Sequence, residues 1–131
     1  MKRITDRTLD KLLREYLLIK YNLQCERCHN IFSPDMLEVA HLYRRIRKVV
    51  RWDLRNTRLL CKSNPITGRL GCHPIVDNDQ IKLVSFMYDV LSKEEVEDLQ
   101  RLANMTIKQY PIDREVIRSE LKDKIRRLEE T

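Results

Sequence analysis

The stretch "EVAHLYRRIRKVVRWDLRNTRLLC", residues 38–61, holds one histidine, one asparagine, six arginines and a lysine against two acidic residues. Cys25-x-x-Cys28 precedes it, Cys61 closes it, and Cys72 follows after ten further residues. Its ends have strand character. "MLEVAHLY" (36–43) leads into a basic loop and the short "TRLLC" returns from it. Two cysteines on one tight turn present two thiolates to one ion, and zinc takes four such soft ligands in a tetrahedron. The wide spacing of Cys61 and Cys72 does not fit a single knuckle. A shared ion must therefore join the start and the end of an excursion. A structural zinc held by Cys25, Cys28, Cys61 and Cys72 is expected. Mixed sites in which His29 or His73 replaces a thiolate, or buried cysteines without metal, are the alternatives. A closed four-cysteine site has no open coordination position, so it does not by itself indicate catalysis.

Working outward, the 131 residues are 42% hydrophobic and 35% charged, which suits one helix-rich domain with a modest core. No apolar run is long enough to span a bilayer. The start, "MKRITDRTLDKLLREYLL", lacks an apolar signal region. A cytoplasmic protein with reduced cysteines is expected, which again favours metal over disulfides. The net charge of +6 is uneven: residues 41–69 carry nine basic side chains and Asp53, a local +8, and the rest sums to −2. Local basicity of this kind suits a polyanion-binding face, although a solvated arginine-rich hairpin has the same composition.

Residues 5–20 have the helical spacing of Leu9, Leu12, Leu13, Tyr16 and Leu17, with Thr5 or Asp6 as N-cap. "KSNPITGRLG" (62–71) contains both glycines of the chain and is a surface loop. A helix is expected to begin near His73, with Pro74 in its first turn. Ser92 and Glu95 form a capping box for "KEEVEDLQRLAN". Asp113 caps a last helix whose Ile117, Leu121, Ile125 and Leu128 share one face. That stripe suits packing on the same domain, and it also permits a homodimer.

The order Cys25-x-x-Cys28, His41 at a strand end, Asn56, Cys61, then Cys72-His73 opening a helix resembles an HNH nuclease, the ββα-metal fold. More narrowly, "VAHLYRRIRKVVRWDLRNTRLLC" resembles the phage recombination protein family NinG/Rap, chiefly over residues 25–73. The resemblance implies an α+β, mostly helical fold in a single domain, 1–131. It would consist of an N-terminal helix (1–22), a zinc-stapled HNH-like core (23–90) and a C-terminal helical extension (91–131).

The resemblance further implies a metal-dependent, structure-selective DNA endonuclease acting on branched intermediates such as Holliday junctions in the host cell cytoplasm. His41 corresponds to the general base, Asn56 to the residue bracing its loop, and His73 to a ligand of a catalytic magnesium or manganese. The residue before the base, usually a metal ligand in the family, is Ala40 here. Strand alternation puts Glu38 on the face of Ala40, and Asp77 lies four residues after His73. Glu38 and Asp77, with Asp53 as a further candidate, are the carboxylates that could complete the site. Loss of the ligand at position 40 also leaves open a non-catalytic zinc-containing module that binds branched DNA.

Arg44, Arg45, Arg47, Lys48, Arg51, Arg55 and Arg58 are the candidate DNA contacts, since a guanidinium fork matches phosphate. Such contacts position a duplex more than they read its bases. Five of them on phosphates correspond to a slope of log K against log salt of about −4 to −5. Trp52 is either a stacking side chain or a core residue.

Overall fold

The computed structural model describes residues 3–131. The fold is α+β, about half helical, with five helices and one two-stranded sheet. Helix α1 (Asp6–Lys20) is followed by the cysteine turn, strand β1 (Leu37–His41), the basic loop, and strand β2 (Thr57–Cys61). Helices α2 (Cys72–Asn78), α3 (Gln80–Val90), α4 (Lys93–Ala103) and α5 (Arg114–Glu129) complete the chain. No described helix is long and apolar enough to cross a membrane.

Caps set most boundaries where the sequence places them. The Thr5 hydroxyl accepts from the Thr8 N–H at 3.2 Å to open α1. Ser92 and Glu95 form both bonds of the capping box on α4, and Asp113 accepts from Glu115 and Val116 on α5. One element escapes the sequence reading. The helix expected near His73 ends at Asn78, because Asp79 adopts an extended backbone and caps a second helix, α3, through the N–H groups of Ile81 and Lys82.

β1 and β2 pair antiparallel, from Leu37 opposite Cys61 to His41 opposite Thr57. The first strand is shorter than the 36–43 expected, for a visible reason. The Leu42 N–H still meets the Asn56 carbonyl in register at 2.8 Å, but the Asn56 N–H turns to the Asp53 carbonyl at 2.9 Å and the Tyr43 N–H to the Asn56 side-chain Oδ1 at 2.7 Å, so the ladder ends. All five residues of β2 are buried, since helices cover what the small sheet does not. Arg58 lies in that strand, and its charge is matched by Glu26 at 3.0 Å, whose side chain is 7% exposed. Glu26 also accepts the Leu59 N–H at 2.8 Å, so one carboxylate ties the cysteine turn to β2.

Leu9, Leu13 and Leu17 of α1 meet Leu59 and Leu60 of β2, Val76 of α2 and Leu99 of α4 in one core. α5 packs on α1, with Leu121 and Ile125 buried and Ile117 and Leu128 partly so. The apolar stripe that permitted a dimer is thus covered within the chain.

Two carboxylates of α1 hold the basic loop down. Asp10 accepts from Arg51 Nη2 at 2.6 Å and from Trp52 Nε1 at 2.9 Å. Asp6 meets Lys48, Arg51 and, at 2.5 Å, Arg114 of α5. Trp52 is a core residue, 5% exposed, with the guanidiniums of Arg51 and Arg114 5.4 and 5.2 Å from its ring.

The Lys48 ammonium, and after it Arg114, hold the Asp6 carboxyl below its ordinary value of 3.8, against the opposing effect of burial. A carboxyl so depressed contributes its full stability above the unfolded-state value, and the contribution disappears as pH falls through the lower folded-state value. Asp6→Asn is therefore expected to cost about 1 kcal/mol at neutral pH, after allowance for solvent screening. The gap from wild type should begin to narrow as pH falls below about 4, toward the depressed folded-state value. Denaturant melts at pH 7 and pH 3 measure both.

Candidate metal centre and histidine cleft

The four cysteines converge. One sulfur from each lies within 4.8 Å of every other, and the Cys28 and Cys61 sulfurs are 3.9 Å apart. A tetrahedral zinc with bonds of about 2.3 Å requires sulfur–sulfur edges of about 3.8 Å. The set fits a metal such as zinc. Among the described residues it is the one group of three or more such donors drawn together in this way. Neither His29 nor His73 belongs to it, so the mixed sites drop out.

The ten-residue excursion closes on itself to make this possible. The Asn64 N–H donates to the Arg69 carbonyl, the Gly68 N–H to the Asn64 carbonyl, and the Gly71 N–H to the Ser63 hydroxyl. The loop pinches shut at Gly71. A Cβ there would sit 2.2 Å from the Lys62 carbonyl carbon and 2.5 Å from the Ser63 nitrogen, both backbone atoms that cannot swing aside. Only glycine lets the two strands of the loop neck touch. Cys72 then lies beside Cys61, and its N–H donates to the Cys61 sulfur at 3.3 Å.

Two arginines flank the sulfurs, and neither was singled out in the sequence. Arg27, between the first two cysteines, approaches Cys72 at 3.5 Å. Arg69 reaches Cys61 and Cys28 at 3.4 and 3.5 Å, with its guanidinium over the Phe32 ring. A divalent ion with four thiolates carries a net charge of −2, which two guanidiniums can balance. The arginine inside Cys25-Glu26-Arg27-Cys28 was the available signal; Arg69 gave none.

Burial pushes the Cys72 thiol up to about 12 and raises Cys25 as well. Burial also acts to raise Cys28, but hydrogen bonds from Asn30, from the neighbouring thiols and from Arg69 outweigh it, bringing Cys28 down to about 7. Metal uptake here must displace protons from the buried thiols.

Beside this centre, β1, α2 and the start of the basic loop border a cleft of about 1140 Å³. His41, His73, Glu38, Asp77, Arg44 and Arg45 all line it. His41 ends β1, with Nε2 3.0 Å from the Arg51 carbonyl oxygen. A carbonyl only accepts, so Nε2 carries the proton and Nδ1 keeps a lone pair. Burial holds His41 below the ordinary value of 6.5; the charges of Arg45 and Arg51 act in the same sense, while the carbonyl bond and Asp10 oppose it.

Asn56 is wholly buried and makes three bonds across the base of the basic loop. Its Oδ1 accepts from the Tyr43 N–H at 2.7 Å, and its Nδ2 donates to the carbonyls of Tyr43 and Val50 at 3.1 and 3.0 Å. It fastens the loop that carries the His41 partner, Arg51.

His73, in the first turn of α2, has Nε2 3.2 Å from Asp77 Oδ2 and Nδ1 3.8 Å from Glu38 Oε2. Ala40 is buried and does not line the cleft, whereas Glu38 and His41 from opposite strand faces both do. β1 is an edge strand, and both its faces reach the open side. Asp53 is held by Arg55 at 2.8 Å and is not at the cleft.

Of the seven candidate DNA contacts, only Arg44 and Arg45 line the cleft. Arg47 is exposed on the same loop. Lys48 and Arg51 pair with α1, Arg55 with Asp53 and Asp98, and Arg58 with Glu26. Arg14 of α1 joins the cleft instead, donating to the carbonyls of Leu37 and Pro34 at 2.7 and 2.6 Å with no carboxylate partner among the described residues. Nothing in its helical position marked it.

Comparison with protein-family models, curated proteins and solved structures finds no match for this chain.

The purified chain is expected to hold one zinc equivalent and to lose its cooperative melt on chelation, read by metal analysis and circular dichroism. Gly71→Ala is expected to cost about 1–3 kcal/mol of stability, the usual range for forced overpacking. It should also release zinc to chelator faster than wild type.

Proposed function

We propose that this chain is a metal-dependent, structure-selective DNA endonuclease of the HNH type, with branched recombination intermediates as substrate. One observation carries the reading. His41 has Nε2 held by the Arg51 carbonyl, which leaves Nδ1 as the proton acceptor, and it lines the same cleft as His73, the carboxylates of Asp10, Glu38 and Asp77, and arginines without acidic partners among the described residues. The strand–loop–strand–helix order beside a four-cysteine centre supports it, as does the motif resemblance over residues 25–73. The choice of branched DNA rests on that resemblance.

His73 Nε2 and Asp77 Oδ2, 3.2 Å apart in the cleft, are the residues that would hold a divalent cation. Glu38 stands on the other side of the His73 ring. When bound there, magnesium or manganese supplies positive charge at the scissile phosphate and the leaving oxygen. His41 Nδ1 takes a proton from water as the water oxygen attacks phosphorus and the bond to the leaving oxygen breaks. The Arg51 carbonyl, receiving the Nε2 proton, holds the ring in the required tautomer and steadies the imidazolium that forms. Asn56 is a positioning residue that keeps the loop in register. Zinc at the cysteines is structural.

Arg14, Arg44 and Arg45 hold the sugar–phosphate backbone. Three phosphate contacts give a slope of log K against log salt of about −3, shallower than the basic composition alone suggests.

The test is cleavage of a four-way junction and a matched linear duplex with magnesium or manganese. His41→Ala should keep zinc content, thermal melt and junction binding while nicking falls by about 10²-fold or more, the usual contribution of a general base. Nicking at the wild-type rate by that variant, or its absence from wild type under every divalent ion, overturns the reading. A base is active unprotonated, so the acid limb of kcat/KM should lie below pH 6.5, the side to which burial moves His41.

A further inference from the structure

The cleft explains a grip on backbone, but not a preference for branched over linear DNA. The tip of the basic loop supplies a device for that preference. The Arg47 N–H donates to the Arg44 carbonyl at 2.8 Å, closing a turn with Arg45 and Ile46 at its centre. Ile46 is 80% exposed there. Arg44, Arg45 and Arg47 surround it, and none of the three has a carboxylate partner among the described residues. This differs from Lys48, Arg51, Arg55 and Arg58, which all pair within the chain.

A lone exposed isoleucine is ordinary on a protein surface. This one stands on a turn held from three directions. Asn56 fastens the base of the loop, Asp6 and Asp10 fasten its far side through Lys48, Arg51 and Trp52, and Arg47 reaches the Ala103 carbonyl at 3.4 Å. The Lys48 N–H donates to the Ile46 carbonyl itself at 2.9 Å. Little freedom remains to be lost when the tip meets a ligand. Trp52, the aromatic that the sequence offers for stacking, is buried and bonded to Asp10. Ile66 is also exposed, but it belongs to the loop between Cys61 and Cys72 and does not line the cleft.

We infer that Ile46 is a wedge that enters the base stack at a branch point, and that this insertion sets the preference for branched DNA. The inference rests on the endonuclease reading and adds its specificity-determining residue. An apolar side chain inserted into an intact duplex must unstack neighbouring base pairs, which is costly. At a branch the step is already open, so burial of the side chain is gained without that cost. The backbone contacts of Arg44 and Arg45 are the same on either substrate, so discrimination falls to the side chain between them.

The experiment uses the full zinc-loaded chain without added magnesium. It measures binding to a four-way junction carrying 2-aminopurine beside the branch, and to a linear duplex of the same arm sequence. Ile46→Ala should leave zinc content, melting, linear-duplex affinity and salt slope unchanged. Junction affinity should fall roughly tenfold, the loss expected for most of one buried aliphatic side chain. The 2-aminopurine fluorescence rise should disappear, and Ile46→Leu should restore both signals. An unchanged junction-to-duplex ratio with the fluorescence rise intact overturns the wedge and leaves the cleavage mechanism standing. A parallel loss on both substrates overturns it too, since that marks a general contact. Absence of salt-dependent DNA binding by wild type overturns the wedge and the endonuclease reading together.

Discussion

Convergence of four sulfurs on one point is the constraint from which the rest of the arrangement follows. The cysteine turn, the end of β2 and the start of α2 share the apolar core through Cys25, Leu59, Leu60 and Val76, but apolar packing is non-directional and does not by itself fix where Cys61 and Cys72 stand. The sulfurs do so. Because Cys61 ends β2 and Cys72 begins α2, the centre determines where the helix bearing His73 leaves the sheet bearing His41. Gly71 belongs to the same constraint, since any side chain at the loop neck would push Cys72 away from Cys61. The flanking Arg27 and Arg69 answer the electrostatic side of the problem, because four thiolates with one divalent ion in this partly buried corner would carry charge that water cannot fully screen.

Charge is used in two different ways along one short stretch. Lys48, Arg51, Arg55 and Arg58 meet carboxylates from α1, the cysteine turn, the basic loop and α4, so they hold the loop to its surroundings. Arg44, Arg45 and Arg47 have no such partners among the described residues and are exposed. The paired set makes the unpaired set rigid. A loop of this composition without Asp6, Asp10 and Asn56 would repel itself into many conformations, and a proposed DNA contact would then have to order it at the moment of binding.

The proposed base depends on the same scaffold. His41 acquires its tautomer from the Arg51 carbonyl, and Arg51 is held by Asp10, the carboxylate that also receives the Trp52 indole. A residue of α1, remote in sequence from the motif, therefore orients the imidazole through its hold on Arg51. Ala40 costs less to this design than its position suggests. It is buried away from the cleft, and the side chains that do face His73 are Glu38 and Asp77.

Much of this was legible in the chain. Helix starts at Thr5, Ser92 and Asp113, the return strand 57–61, and the grouping of Cys25, Cys28, Cys61 and Cys72 as a set that could hold one metal follow from local rules: a side-chain oxygen ahead of an apolar period, a β-rich run, and thiolate spacing. The i,i+4 relation of His73 and Asp77 is equally local. What the chain alone left undecided is which of several like groups face one another. Seven cationic side chains in the stretch 44–58 are equivalent by composition, and only the packing of α1, α4 and the cysteine turn determines which find carboxylates and which remain free. The break at Asp79, the burial of Trp52 and the arrival of Arg14 at the cleft have the same origin, since each depends on neighbours distant in sequence. Local propensity sets the elements; the pairing of charges across them is settled only when the core closes.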